Sequence, residues 1–191
     1  GEVMAIARSF EECLQKALRS LELRVYSKFN LDDELEVRRL LPPNELRLLV
    51  MMELLAQGRM TVDALAKETK IHPWFLERLQ YVAQTGAALS SLKADADGLK
   101  QLRQAKRLGF SDVAISSASG LSSSTLRFLR KQQNLVPVFK MVDTCSAEFP
   151  ALTPYYYSSF DGEDESALLE PKKKKKVVIL GSGPIRIGQG I

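Results

Sequence analysis

Gly58-Arg-Met-Thr61-Val-Asp-Ala-Leu65-Ala-Lys-Glu-Thr69-Lys-Ile-His72-Pro-Trp-Phe-Leu76-Glu-Arg-Leu79 is the stretch on which the fold reading rests. Gly58 closes a preceding helix, because glycine adopts the left-handed conformation at a helix C-terminus without steric cost. Thr61 then precedes Val62, Leu65 and Ala66 over two turns, a small amphipathic helix. His72-Pro73 opens the next: proline suits the first helical position, where its missing N–H has no intrahelical partner to lose. Trp74, Phe75, Leu76, Leu79 and Val82 are expected to form that helix's core face.

The same grammar extends in both directions. Residues 46–56 read as a strongly hydrophobic helix, entered through Pro42-Pro43 with Asn44 as a cap. Residues 99–108 form a helix closed by Gly109. Residues 112–118 and 122–133 follow as a pair separated by Gly120, with Leu121, Leu126 and Leu129 facing inward. Near the N-terminus, Ser9 and Glu12 spell the S-x-x-E capping box. Phe10, Cys13, Leu14, Ala17, Leu18 and Leu21 then recur at helical spacing as one apolar stripe. Residues 24–42 are less regular, with Asp32, Asp33, Glu34 and Glu36 followed by Arg38 and Arg39, and residues 85–98 read as a loop. Short helices joined by tight glycine turns define the class: mainly α, a compact helical domain.

The character changes after Leu135. Residues 136–142 are β-branched and extended, and Tyr155-Tyr156-Tyr157 with Phe160 suggest a second extended segment. Residues 161–170 are acidic and turn-like, which suits a linker. Lys172 to Lys176 then lead into Val177-Val-Ile-Leu180, a buried-strand signature, and a glycine-rich turn from Gly181. That C-terminal piece is a short α/β start, a strand plus a Gly-rich loop. It stops before anything that packs behind it, which reads as a cut from a longer polypeptide.

Composition narrows the function classes. The 191 residues are 45% hydrophobic and 26% charged, the balance of a globular protein rather than a disordered one. The longest apolar run, residues 48–52, is far short of the ~20 needed for a membrane helix. With no signal peptide in view, the expected location is cytoplasmic. The formal net charge of +4 is concentrated in Lys172 to Lys176, so the rest of the chain offers no broad basic face for nucleic acid. Cys13, Cys145 and the single histidine, His72, supply no metal-ligand spacing, and no metal is expected. The cysteines read as reduced thiols.

Each chemical motif has a plain structural counterpart. The strand and the Gly181-Ser-Gly183-Pro-Ile-Arg186-Ile-Gly188-Gln-Gly190 turn point backbone N–H groups toward an anion. Yet the dinucleotide fingerprint needs glycine where Arg186 stands, and a P-loop needs lysine where Gln189 stands. The lysine block matches a nuclear localisation signal, but as the lead-in to a hydrophobic strand it reads as a solvated linker. His72 sits where a cap sits. Asp143, Cys145 and Glu148 lie close together, but a neighbouring carboxylate raises a thiol's pKa, so structural hydrogen bonding is expected there. Trp74, Phe75 and the tyrosine triplet read as core or interface.

As a set, three blocks resemble one family, the large chain of carbamoyl phosphate synthetase. Gly1-Glu-Val-Met-Ala-Ile-Ala-Arg-Ser-Phe-Glu-Glu12 with Leu14-Gln-Lys-Ala-Leu-Arg19 resembles the end of its first synthetase half. KETKIHPWFL (67–76), LGFSD (108–112), FKMVDTCSAEF (139–149) and TPYYYS (153–158) resemble its middle segment. KVVILGSGPIRIGQGI (176–191) resembles the opening of its second half.

The resemblance implies an ATP-dependent, Mg2+-requiring ligase with two ATP-grasp halves. It would make carbamoyl phosphate from bicarbonate, two ATP, and ammonia from a glutaminase subunit or domain. Residues 1–23 would finish the first half, 24–171 would be a helical oligomerisation domain, and 172–191 would begin the second half. This segment would be non-catalytic, hold no cofactor, and bind itself rather than nucleic acid or membrane. Subunit contacts are expected from the helices at 46–56 or 74–82. Arg186, Gly188, Gln189 and Gly190 match the family's GPNRIGQG loop beside the carbamate route. Ile185, Ala7 and His72 depart from the family's usual asparagine, glycine and aspartate. The alternative from another class is a helical nucleic-acid-binding or scaffold adaptor with a nuclear signal at Lys172 to Lys176.

Overall fold

The computed structural model describes residues 3–21, 29, 31–145, 147–150, 152–166, 177 and 181. Among them the fold is mainly helical, with eight α-helices, a one-turn 3-10 helix and two short strands. The chain divides into two compact units. One comprises Arg24–Ala105 and Ser111–Leu126, the other Gly1–Leu23, Lys106–Phe110 and Arg127–Ile191.

The first unit contains α2 (Glu34–Leu40), α3 (Arg47–Ala56), α4 (Val62–Thr69), α5 (Pro73–Ala88) and α7 (Asp112–Ser119). It also holds all but the end of α6 (Ala96–Arg107) and the start of α8 (Ser123–Gln132). Among its described residues the buried side chains are apolar. Val50, Met51, Leu54 and Leu55 of α3 meet Leu76, Leu79, Val82 and Ala83 of α5, the most extensive helix pairing in the unit.

One turn is used twice. Thr61 caps α4 by accepting from the Ala64 N–H at 3.2 Å, and Ser111 caps α7 by accepting from the Ala114 N–H at 3.1 Å. Leu65 and Ile115 are then each fully buried at 0% exposure. Thr69 and Ser119 each donate back to the carbonyl four residues earlier, and their hydroxyls also accept from the N–H two residues on. Lys70 at φ 60° and Gly120 at φ 74° finish the helices in the left-handed conformation. Gly120 adopts it without the Cβ cost that Lys70 bears. α5 then starts from His72, whose Nδ1 accepts from the Trp74 N–H, and α8 starts beside Ser122, whose Oγ accepts from the Thr125 N–H. The helix starts at Thr61 and His72-Pro73 and the junction at Gly120 stand where the sequence pattern puts them.

Gly58 closes α3 as expected, with the Arg59 N–H reaching the Leu54 carbonyl at 2.9 Å. Asn44 acts slightly earlier than a cap, accepting from the Leu46 N–H one residue before α3 begins.

Three expectations need correction. Residues 85–98 are not a loop: α5 runs on to Ala88, and the Leu89–Ser91 turn carries a buried Leu89. Alanines at 83, 87 and 88 favour helix, and Leu89 anchors its end. The irregular stretch before Pro42 holds α2, capped by Asp33 at the Leu35 and Glu36 N–H groups. Its acids lie at the positive end of the helix dipole and its arginines at the negative end. Trp74 and Phe75 are not core: they are 45% and 44% exposed. At about 100° per residue, Trp74 lies two steps from the buried Leu76, far round the helix.

The second unit begins with α1 (Phe10–Ser20), capped by Ser9 at the Glu12 N–H. Its strands β1 (Val138–Met141) and β2 (Tyr156–Ser159) pair antiparallel, with Val138 opposite Ser159 and Met141 opposite Tyr156. Here the buried set includes charged and polar side chains: Glu11, Glu12, Lys106, Lys140 and Ser159 lie inside with Leu108, Leu129 and Leu135. The apolar stripe of α1 is only half-buried, which the helical pattern alone did not foretell. The strand and glycine loop expected at 177–191 fall outside the described residues apart from Val177 and Gly181.

Replacing Leu65 by alanine should cost about 2–5 kcal/mol in urea unfolding, the usual range for a fully buried leucine. Replacing Val113, which is 72% exposed, should change stability by no more than about 0.5 kcal/mol.

Candidate functional site: a charged cluster and an aromatic face

A buried polar assembly in the second unit centres on Glu12. Its Oε1 pairs with Lys16 Nζ at 3.0 Å, and its Oε2 accepts from Ser159 Oγ at 3.1 Å. The Glu12 side chain is 3% exposed and that of Lys16 17%. Lys16 Nζ also donates to the Ile6 and Ser158 carbonyls, at 3.0 and 2.7 Å, and stands 5.1 Å from the Tyr157 ring centre. One lysine thus ties α1 to the end of β2. Gly109 lies against this helix with φ 90°, where a Cβ would stand 3.1 Å from the Glu12 backbone.

A second cluster lies at the strands. Glu165 Oε1 receives Arg8 Nη2 at 2.7 Å and Lys140 Nζ at 3.2 Å, while Oε2 accepts from the Met141 N–H at 2.8 Å. Arg8 Nε donates to the Tyr157 hydroxyl at 3.1 Å. The Met141 N–H, then Lys140 and Arg8, hold the Glu165 carboxyl below its ordinary range against the opposing effect of burial. Hydrogen bonding to Tyr157 raises Arg8 above its ordinary range. Phe160 carries Lys106 Nζ 4.5 Å and the Arg130 guanidinium 5.5 Å from its ring centre, a cation–π pairing on both counts.

The reactive residue types that stand out in the sequence have structural partners. His72 caps α5 through Nδ1, which accepts from the Trp74 N–H. Asp143 accepts from the Cys145 and Ala147 N–H groups at 2.9 and 2.6 Å, the structural bonding expected of it. Among the described residues no cluster of histidine, cysteine and carboxylates is placed to hold a metal, and no helix is long and apolar enough to cross a membrane. Arg186, Gly188, Gln189 and Gly190 lie outside the described residues. The Glu12 and Glu165 clusters are not foreseen by the sequence pattern. The only local signal is Glu12 inside a capping motif, and long-range partners have no local signature.

The exposed aromatic face belongs to α5. Trp74 and Phe75 pack edge-to-face, 5.0 Å between ring centres at 87°, and the Arg78 guanidinium stands 5.9 Å from Trp74. Tyr81, a further turn along the helix, is 39% exposed and accepts from Gln104 at 2.8 Å. Trp, Tyr and Arg together are the composition of protein interfaces.

A sequence profile described as carbamoyl-phosphate synthetase large chain, oligomerisation domain, matches residues 2–134. The chain belongs to that family. It is 48% identical over its whole length to the carbamoyl phosphate synthase large chain of Deinococcus radiodurans, covering 18% of that protein. It is 41% identical to that of Thermoanaerobacter pseudethanolicus, covering 18%, and 40% identical to that of Methanothermobacter thermautotrophicus, covering 17%. The chain therefore spans less than a fifth of the length of these curated relatives.

Replacing Glu12 by alanine would leave Lys16 and Ser159 without their shared partner. It should cost about 3 kcal/mol, near the lower end for breaking a buried pair. Replacing Ser159 by alanine should cost about 1 kcal/mol. Urea unfolding followed by far-ultraviolet circular dichroism gives both values.

Proposed function

We propose that this chain is the assembly segment of a carbamoyl phosphate synthetase large chain, itself non-catalytic, linking two synthetase halves. The match of residues 2–134 to an oligomerisation domain carries the reading. On it, residues 1–23 finish the first half, 24–171 form the oligomerisation domain, and 172–191 open the second half. The whole enzyme is then a cytoplasmic ligase that uses ATP and Mg2+ and takes ammonia from a glutaminase partner for pyrimidine or arginine synthesis. Arg186, Gly188, Gln189 and Gly190 line the carbamate passage by family resemblance. The adaptor alternative rests on the lysine block alone and draws no support from the relatives.

Of the two helices expected to supply subunit contacts, α3 buries Val50, Met51, Leu54 and Leu55 inside its own unit. The aromatic face of α5, with Trp74 and Phe75 nearly half exposed, is the better assigned.

Sedimentation equilibrium across protein concentration, at low and high salt, tests this reading. It expects a dimer or larger species that persists in high salt, because apolar association is little screened. A strict monomer at every concentration would overturn it. Replacing Trp74 by alanine should weaken association by about tenfold or more if the α5 face is a hot spot.

A further inference from the structure

The acidic segment after β2, read from sequence as a linker, is bonded to β1. In the β1–β2 ladder, Val142 turns its N–H toward β2, donating to the Tyr155 carbonyl at 2.9 Å. Residues of the opposite parity, Phe139 and Met141, turn theirs away from β2, since successive residues of a strand alternate. Those outward groups do not go to a third strand. The Phe139 N–H donates to Asp164 Oδ2 at 3.1 Å and the Met141 N–H to Glu165 Oε2 at 2.8 Å. The Phe139 carbonyl accepts from the Glu165 N–H at 2.8 Å. Two carboxylates and one peptide group thus take the place of a neighbouring strand along the free edge.

The geometry points to a device: we propose that residues 163–166 are a carboxylate strap that closes the outer edge of β1 and keeps a strand-pairing site shut. An open edge with its N–H and C=O groups unpaired is a template for another extended segment. Glu165 is the keystone of the strap. Its second oxygen is held by Arg8 from the N-terminal segment and Lys140 from β1, so three groups from two segments converge on one carboxyl. The Lys140 side chain is only 7% exposed and also lies against Gly162, where a Cβ would stand 3.0 Å from Nζ. Asp164 is fixed on its other oxygen by the Ser166 N–H at 2.8 Å and by the Ser166 hydroxyl.

The groups facing the strap are Arg8, Lys140 and, through Arg8, the Tyr157 hydroxyl, with Lys16 standing over the Tyr157 ring. Of these, Lys140 and Arg8 favour an ionised Glu165. Both strap carboxyls sit below their ordinary range, Glu165 chiefly through the Met141 N–H and Asp164 chiefly through the Ser166 hydroxyl. A folded value below the unfolded one means the contribution is complete above the ordinary carboxylate range. It is lost as pH falls through the folded values. The strap is closed at neutral pH and opens in acid.

Amide hydrogen exchange on the intact chain, resolved at Phe139 and Met141, tests the strap. Both amides should be protected at neutral pH, and protection should fall in acid before that of Leu79 in α5 does. Glu165→Ala should speed Met141 exchange by about tenfold or more and leave Leu79 unchanged. Glu165→Gln, which keeps an acceptor oxygen without the charge, should have a smaller effect. Asp164→Ala should act on Phe139 more than on Met141, and it decides the matter if the Glu165 variant fails to fold. Unprotected Phe139 and Met141 amides in the unaltered chain, or protection unchanged in Asp164→Ala, would overturn the proposal.

Discussion

The helical unit depends on a left-handed turn placed directly after a two-turn helix. A helix of eight residues has no stability of its own, since nucleation costs more than so few bonds return. α4 and α7 persist because each buries one branched side chain completely, Leu65 or Ile115, and each is ended by the same hydroxyl bonded both back and forward. The turn then sets the phase of the following helix. Leu76 in α5 and Leu126 in α8 both arrive at full burial as a result. At one turn the left-handed residue is Gly120 and at the other Lys70, which bears a cost of roughly 1 kcal/mol for its Cβ. That Lys70 is tolerated shows how strongly the buried anchors determine the turn.

The two units solve the burial problem by opposite means. In the first, leucine, valine and methionine interlock between α3 and α5, and non-directional burial of apolar area supplies the driving force. In the second, Glu12, Lys106, Lys140 and Ser159 are inside, so stability rests on bonds that must be completed in full. A buried charge without its partner costs several kcal/mol, whereas a slightly misplaced methyl costs much less. The second unit is accordingly the less forgiving of substitution. Its geometry is also more narrowly specified, because Lys16 must reach Glu12, Ile6 and Ser158 at once.

What could be read from the sequence follows from the same contrast. The Gly58, Gly109 and Gly120 turns, the Thr61 cap and Pro73 at a helix start are local signals, and the helices they bound lie where those signals put them. Residues 85–98 misled because small polar residues suggest a loop, while Leu89 and Leu92 anchor that stretch and its 3-10 turn packs on α7, far along the chain. Trp74 and Phe75 misled because large apolar residues suggest a core, while the helical phase set by Leu76 and Leu79 turns them outward. Asp164 and Glu165 looked like linker acids. No periodicity announces a carboxylate that substitutes for a strand.

The ionisable and the aromatic groups are placed in opposite ways. The histidine and carboxylates that stand out are fixed to backbone: His72 to the Trp74 N–H, Asp143 to the Cys145 and Ala147 N–H groups, Glu165 to the Met141 N–H. Bonds of that kind hold each side chain in one position and satisfy backbone donors that would otherwise be unpaired. The aromatic residues of α5 show the reverse arrangement, with apolar area left at the surface where burial against another chain would still release water. Aromatic area directed outward is the composition that interfaces between chains use, and the family to which the chain belongs is described as an oligomerisation domain.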